Sequence, residues 1–292
     1  MHQYRLEKTR VIKGFERAAA GYELAAVLPR EVRTRLLERL DYLSLEPKII
    51  VDMGAGTGVA ARKLSERYPQ AGIVALDISH AMVDCIGDEN PQIKSLCADA
   101  LGTPLPDQSV DLIFSNLMLP WCDDLDAMLA EFRRLIAPQG AISFSTFGPD
   151  TLVELRRAWQ RADDFEHVHA FLDMHDIGDA LMRAGFVEPV MDVERLTMTY
   201  ACVSDLLLDL RRMGSFNALP GRRHGLTGNR TFRSLEQAYE AFREDGTLPA
   251  TFEVIYGQAW GPMPGSGVLL DDGIAHVPID KIGKRQNIRG QQ

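Results

Sequence analysis

The stretch KIIVDMGAGTG occupies residues 48–58 and indicates the first unit of the architecture. Its apolar first half is typical of a buried strand in a parallel sheet, and its glycines are typical of the tight turn into a helix. A dinucleotide-binding turn would need a third glycine where this chain has Val59, and a phosphate-binding P-loop would need a Gly-Lys pair that is missing. The pattern that remains is D-x-G-x-G-x-G, from Asp52 to Gly58.

Short apolar runs and helical patterns alternate after this turn. This alternation favours an α/β fold with a parallel sheet and helices on both faces. The predicted strands cover 48–53, 72–77, 93–99, 109–116 and 140–147. Before the last of these strands, Asp123 is expected to cap a helix that ends at Pro138-Gln139-Gly140.

On both sides of this region, hydrophobic residues also recur with the spacing of helices or strands. A helix is predicted over 9–27, and a second one after Pro29. In the second half of the chain, the predicted helices lie near 150–162, 174–184, 203–213 and 230–244, and the predicted strands cover 186–200 and 250–260.

Composition narrows the class of protein. The 292 residues are 46% hydrophobic and 25% charged, which is ordinary for a globular chain and excludes a disordered or collagen-like one. The net charge of −9 argues against a nucleic-acid partner. The longest uncharged run, 254–270, is interrupted by glycine and proline, and the N-terminus lacks the apolar core of a signal peptide. We therefore expect a cytoplasmic protein without a membrane partner.

The sequence gives little support for a metal site or for a function of the cysteines. The four cysteines, at 85, 97, 122 and 202, form no CxxC pair and are expected to be buried reduced thiols. His167, His169 and His175 lie near Asp173 and Asp176, which leaves a metal site open as an alternative. Solvated loop residues are the favoured interpretation, so no metal is expected.

Acidic residues follow the next two strands. Asp77 ends the second strand, 19 residues after Gly58, and a carboxylate there can accept hydrogen bonds from both hydroxyls of a ribose. Asp99 ends the third strand. Open α/β sheets bind ligands at the carboxyl ends of their strands, so the turn and both acids are predicted to form one site.

Together these features resemble motif I and the neighbouring acidic positions of the class I S-adenosylmethionine-dependent methyltransferases. The resemblance implies a Rossmann-like fold with a mostly parallel seven-stranded sheet, helices on both faces and a helical lid. It implies S-adenosylmethionine as co-substrate, with Asp99 facing the adenine amino group. The cofactor residues that it implies, with their near neighbours, are Asp52, Gly54, Ala55, Gly56, Gly58, Asp77, Ile78, Met82, Asp99, Ala100 and Asn116.

Four further segments narrow the resemblance. FERAAAGYELAAVLPREV (15–32), FSNLMLPWCDDL (114–125), FSTFGPDTLVELRRAW (144–159) and LRRMGSFNALPGRRHGLTG (210–228) resemble the malonyl-[acyl-carrier protein] O-methyltransferases of biotin synthesis. The resemblance implies methylation of the free malonyl carboxylate on acyl carrier protein or coenzyme A, which needs no general base because a carboxylate is already ionised.

The same resemblance suggests residues for the acceptor. Tyr22 would close over the cofactor, Trp121 would wall the acceptor channel, and His167 would line the pocket. An arginine of residues 210–233, with Arg211 as the first choice, would hold the carboxylate oxygen that does not attack, since arginine suits planar carboxylates. Residues 210–234 contain six arginines and no acid, so this segment could steer an acidic carrier protein.

The domain division follows from these assignments. Residues 1–46 are expected to form an N-terminal helical cap and 47–262 the methyltransferase domain. Within that domain, 203–245 would be a helical insert, or lid, before the last strand, and 263–292 a loosely ordered tail.

Three alternatives remain open at this stage. They are a methyltransferase for another small acceptor such as a quinone precursor, an RNA methyltransferase, and a respiratory-complex assembly factor of the same fold.

Overall fold

The computed structural model describes residues 6–87, 90–262, 269–271 and 274–276. One seven-stranded sheet carries the fold, in the strand order β3-β2-β1-β4-β5-β7-β6. The strands are β1 Ile49–Met53, β2 Gly72–Asp77, β3 Ile93–Cys97, β4 Val110–Asn116, β5 Ile136–Phe147, β6 Val187–Tyr200 and β7 Leu248–Trp260. Strands β1 to β5 pair in parallel, whereas β7 is antiparallel to both β5 and β6. The predicted mostly parallel seven-stranded sheet is confirmed.

Helices cover both faces of this sheet. They are α1 Lys8–Ala18, α2 Tyr22–Ala25, α3 Val27–Arg39, α4 Val59–Arg67, α5 His80–Asp84, α6 Leu125–Leu135, α7 Val153–Ala162, α8 Met174–Arg183, α9 Val203–Arg212 and α10 Asn229–Glu240. Side chains alternate along β1, so Ile50 packs with α3, α4, α7 and α10 on one face, and Val51 packs with α6 and α8 on the other. Two buried cores therefore hold the sheet between helical layers.

The N-terminal region differs from the single helix predicted over 9–27. Helix α1 ends at Ala18, a 3-10 turn covers Ala19–Gly21, and α2 is one turn long. Helix α3 begins before Pro29 rather than after it. Proline is tolerated there because the N–H groups of the first turn have no partner inside the helix.

The start of α6 corrects a second prediction. Asp124, not Asp123, is the N-cap, and its carboxylate accepts a hydrogen bond from the N–H of Ala127 at 2.9 Å. Asp123 instead accepts a hydrogen bond from the N–H of Leu6 at 2.6 Å. The helix ends at Leu135, earlier than predicted, and Pro138-Gln139-Gly140 lie within β5, where the register shifts against β4.

The proposed lid region, 203–245, contains α9 and α10, joined by residues 213–228 without regular structure. The division into cap, domain and lid stays a prediction. Most of the predicted tail, 263–292, lies outside the described residues, apart from the short pair β8 Leu269–Asp271 and β9 Ile274–His276. Among the described residues, no helix combines the length and apolar character needed to cross a membrane.

Candidate active site

A cavity of about 490 Å³ opens at the carboxyl ends of the parallel strands. Many of the predicted cofactor residues lie on its wall, namely Gly54, Gly56, Asp77, Ile78, Met82, Asp99, Ala100 and Asn116. The four predicted acceptor residues, Tyr22, Trp121, His167 and Arg211, line the same cavity. Three predicted residues, Asp52, Ala55 and Gly58, do not reach the wall.

The glycine-rich turn has left-handed backbone at three positions, with φ of +77° at Gly54, +54° at Gly56 and +76° at Gly58. A Cβ atom on Gly54 would lie 2.4 Å from the Met118 side chain, so this glycine is required by packing. A Cβ atom on Gly56 would meet nothing within 4 Å. The backbone at Gly56 therefore borders open space, as close approach by a ligand requires.

Asp77 is held rigidly at the end of β2. Its Oδ2 accepts a hydrogen bond from the N–H of Gly56 at 2.9 Å, and its Oδ1 accepts one from the N–H of Ser79 at 2.9 Å. Burial raises the pKa of this carboxyl despite both hydrogen bonds. Each carboxylate oxygen can accept a second hydrogen bond, so Asp77 keeps capacity for a ligand that carries hydroxyl groups.

Asp52 is the more deeply buried acid, with 1% of its surface exposed. Its Oδ2 has no hydrogen-bond partner among the described residues. Burial raises the pKa of this carboxyl to about 7, and the nearby charge of Asp77 acts in the same direction. The chain therefore keeps an incompletely paired acid directly behind the glycine-rich turn.

Asp99 is partly exposed and joins the floor of the cavity to helix α1. One oxygen forms an ion pair with Lys8, and the other accepts a hydrogen bond from the N–H of Leu101 at 3.1 Å. Lys8 was not among the predicted site residues. It lies four positions before Ile12 and seven before Phe15, on the helix face that lines the cavity. This helical spacing could have predicted that Lys8 faces the cavity.

Asn116 has both polar atoms engaged. Its Nδ2 donates to the carbonyl of Pro29 at 3.1 Å, and its Oδ1 accepts from Ser145 Oγ at 2.9 Å. The side chain thus ties the end of β4 to α3 and β5, and its predicted cofactor contact stays a prediction.

Aromatic rings line the part of the cavity around Trp121. Trp121 packs edge-to-face between Phe15 and His169, with ring centroids 5.2 and 5.4 Å away. Burial lowers the pKa of His169 to about 4, so this ring is neutral at physiological pH. Tyr22 is half-buried, and burial raises its pKa, so its hydroxyl keeps its proton. Sequence reasoning did not assign His169 to the cavity, because only the folded loop brings it to Trp121.

Arg211 is exposed, lines the cavity, and forms no ion pair or side-chain hydrogen bond with the residues that the structure describes. The other arginines of its segment differ from one another. Arg222 pairs with Glu7, and the guanidinium of Arg223 lies 5.7 Å from the centre of the Phe165 ring. Arg211 is therefore a cation at the cavity that has no ion-pair partner in the described part of the chain.

The structure also bears on the candidate metal-site residues and on the cysteines. The described part of the chain contains no group of three or more metal-ligating side chains. Asp173 instead caps α8, accepting from the N–H groups of His175 and Asp176 at 2.8 and 2.9 Å. All four cysteines are free, but the expectation that they are buried is wrong for Cys85 and Cys97, which are exposed, and Cys122 and Cys202 are only half-buried.

The sequence of this chain is similar to a known family and to known proteins. Residues 51–144 match the family model described as a methyltransferase domain. A malonyl-[acyl-carrier protein] O-methyltransferase of Gallionella capsiferriformans is 44% identical over 273 residues, covering 90% of this chain and 94% of the relative. One from a Methylovorus species is 45% identical over 283 residues, covering 94% and 95%.

A solved structure of a SAM-dependent methyltransferase from Thermotoga maritima superposes with a TM-score of 0.51 at 16% identity, covering 86% of this chain and 99% of that one. At that identity the likeness concerns the fold alone. The predicted class I methyltransferase fold is confirmed.

Replacing Asp52 by Asn is expected to remove a pH dependence of stability. The folded chain keeps the Asp52 proton up to pH about 7, whereas an unfolded chain loses it near pH 4. The folded state therefore binds more protons between these values, and the free energy of unfolding of the wild type falls as pH rises through this window. The effect is on the order of 4 kcal/mol for this group.

Urea unfolding of the wild type and Asp52→Asn at pH 5, 6 and 7 measures the difference. Parallel stability profiles would contradict the raised pKa.

Proposed function

Because this chain belongs to the malonyl-[acyl-carrier protein] O-methyltransferase family, we propose that it transfers the methyl group of S-adenosylmethionine to the free carboxylate of a malonyl thioester. The thioester carrier would be acyl carrier protein or coenzyme A. One observation of the structure carries the proposal: a single cavity joins Asp77 and Asp99 to Tyr22, Trp121 and Arg211. Donor and acceptor can therefore meet in one space.

The donor part of the cavity fits the co-substrate. S-adenosylmethionine supplies an electrophilic methyl group on a sulfonium when it is bound. Asp77 would accept hydrogen bonds from the ribose hydroxyls, and Asp99 with the N–H of Ala100 would face the adenine edge. The open space above Gly56 allows the backbone to approach the ligand closely.

Methyl transfer to a carboxylate requires the protein mainly to bind and orient the acceptor. A malonyl carboxylate is ionised at neutral pH and needs no general base. Tyr22 and Trp121 would orient the malonyl group and exclude water, which can supply much of the rate acceleration. Arg211 would bind the oxygen that does not attack. Because the ester product has no charge, its attraction to Arg211 is weaker and product release is favoured.

The three alternatives are less well supported. Relatives that cover nearly the whole chain carry the carrier-protein name, which does not favour a quinone precursor or an assembly role. The net charge of −9 argues against an RNA substrate. A cytoplasmic location and the absence of a bound metal remain parts of the proposal.

Genetic complementation tests the function directly. The gene should restore growth without biotin to a bacterial strain that lacks its malonyl-thioester methyltransferase. Absence of growth, despite folded protein in the cells, would contradict the proposal.

Arg211→Ala is expected to raise the KM for the malonyl thioester about tenfold or more, since a charged hydrogen-bond partner is lost. The dissociation constant of S-adenosylhomocysteine should stay near the wild-type value. Arg212→Ala is the matched control, because Arg212 is equally exposed but does not line the cavity. Steady-state kinetics and calorimetry provide the two measurements, and parallel losses of acceptor and cofactor affinity would refute the assigned role.

Salt dependence tests the carrier protein as partner. Arg230 and Arg233 are exposed and form no side-chain ion pair with the described residues. They can attract an acidic protein, and salt screens such attraction. We expect kcat/KM to fall more steeply between about 20 and 300 mM salt for malonyl-acyl carrier protein than for malonyl pantetheine, whose carrier part is uncharged. If kcat/KM had the same salt dependence for both substrates, the arginines would have no role in recognition of the carrier protein.

A further inference from the structure

Asp163 and His167 form a buried pair at the end of α7. His167 Nε2 lies 2.7 Å from Asp163 Oδ1, and the two side chains are only 11% and 12% exposed. Oδ1 also accepts a hydrogen bond from the N–H of Phe165 at 3.1 Å, which fixes the carboxylate to the loop. The pair lies beside the cavity, because His167 contributes to its wall.

The imidazole ring is fixed by a second contact. It stacks on Trp159 with ring centroids 3.6 Å apart and an angle of 4° between the planes. Trp159 is itself buried, at 7% exposure, and lines the same cavity. Stacking restricts the tilt of the ring, and the bond to Asp163 restricts its rotation, so His167 is pre-oriented without a ligand.

Each residue of the pair keeps one polar atom outside the hydrogen bonds between the described residues. His167 Nδ1 has no partner among the described residues, and Asp163 Oδ2 is buried without one. A malonyl group offers only hydrogen-bond acceptors, namely its carboxylate and its thioester carbonyl. An imidazole whose Nε2–H is donated to a carboxylate can bind such an atom only by donating from Nδ1, which requires the doubly protonated ring.

We infer that His167 is a second binding group for the acceptor carboxylate, alongside Arg211, and that Asp163 is its positioning residue. This inference rests on the proposed function. His167 donates from Nδ1 to the carboxylate, while the buried charge of Asp163 balances the imidazolium and holds Nε2. No covalent step passes through the pair, since the carboxylate itself is the nucleophile.

Discrimination between substrate and product follows from this arrangement. A charge-assisted hydrogen bond to a carboxylate is about twice as strong as one to a neutral oxygen. Methylation removes the negative charge, so the same donor holds the ester less tightly. The pair should therefore contribute to binding of the free acid and little to binding of the methyl ester.

Three variants test the inference. Asp163→Asn keeps an oxygen that can accept from Nε2 but removes the charge, and His167→Gln removes the cationic donor. His175→Gln is the matched control, because His175 is exposed and does not line the cavity. Measured quantities are kcat and KM for the malonyl thioester, the dissociation constant of S-adenosylhomocysteine, and the inhibition constant of the malonyl methyl ester thioester.

We expect Asp163→Asn and His167→Gln each to raise the KM for the acid about tenfold or more. Values of kcat, S-adenosylhomocysteine binding and ester inhibition should change less than about twofold, and the control should match the wild type. Asp163→Glu keeps the charge and should recover part of the acid binding. It carries the test together with His167→Gln if Asp163→Asn does not fold.

Equal losses of acid and ester binding, a parallel loss of S-adenosylhomocysteine binding, or an unchanged KM would each overturn the inference. Failure of the proposed function is distinguishable, since the wild type itself would then not methylate the malonyl thioester.

Discussion

The hydrogen bond from the Gly56 N–H to Asp77 joins the glycine-rich turn after β1 to the end of β2, and the proposed cofactor site depends on it. It places a carboxylate and an open backbone segment side by side where parallel strands end. Burial raises the pKa of Asp77 and of Asp52 behind the turn. Both acids therefore lie in poorly solvated surroundings. Of the two, Asp77 lines the cavity, where a carboxylate favours a ligand that donates hydrogen bonds or carries positive charge.

Part of the cavity wall comes from two segments that are far apart in sequence, through Lys8, Val11 and Asn217. Residues 6–11 and 217–222 are joined by the ion pair of Glu7 with Arg222 and by a hydrogen bond from the Glu7 N–H to the Ala218 carbonyl at 2.8 Å. A small apolar cluster seals the junction, with Leu6, Val11, Ala218 and Leu219 as its buried members. The guanidinium side chain of Arg222 is only 10% exposed in this pair. The two segments are therefore held together by an ion pair, a backbone hydrogen bond and apolar packing.

Much of this arrangement can be predicted from the sequence. The strand predicted over 72–77 and the acid at its end match the structure, because period and turn residues encode them locally. Other features depend on tertiary contacts. Asp123 and Asp124 are equally good N-cap candidates in the sequence. In the structure, Asp123 accepts a hydrogen bond from the N–H of Leu6, and Asp124 caps the helix. Burial lowers the pKa of His169, and Trp121 and Phe171 are among the rings packed against it. Local patterns carry no information on such partners.

Calorimetric titration with S-adenosylhomocysteine tests the central claim most directly. The account predicts one binding site per chain for the wild type. For Asp77→Asn, in which an amide N–H₂ replaces one acceptor oxygen, it predicts a loss of affinity of about tenfold or more. The titration should be made on variants with an unchanged unfolding transition. Absence of binding by the folded wild type, or equal affinity in Asp77→Asn, would contradict a cofactor site at the ends of these strands.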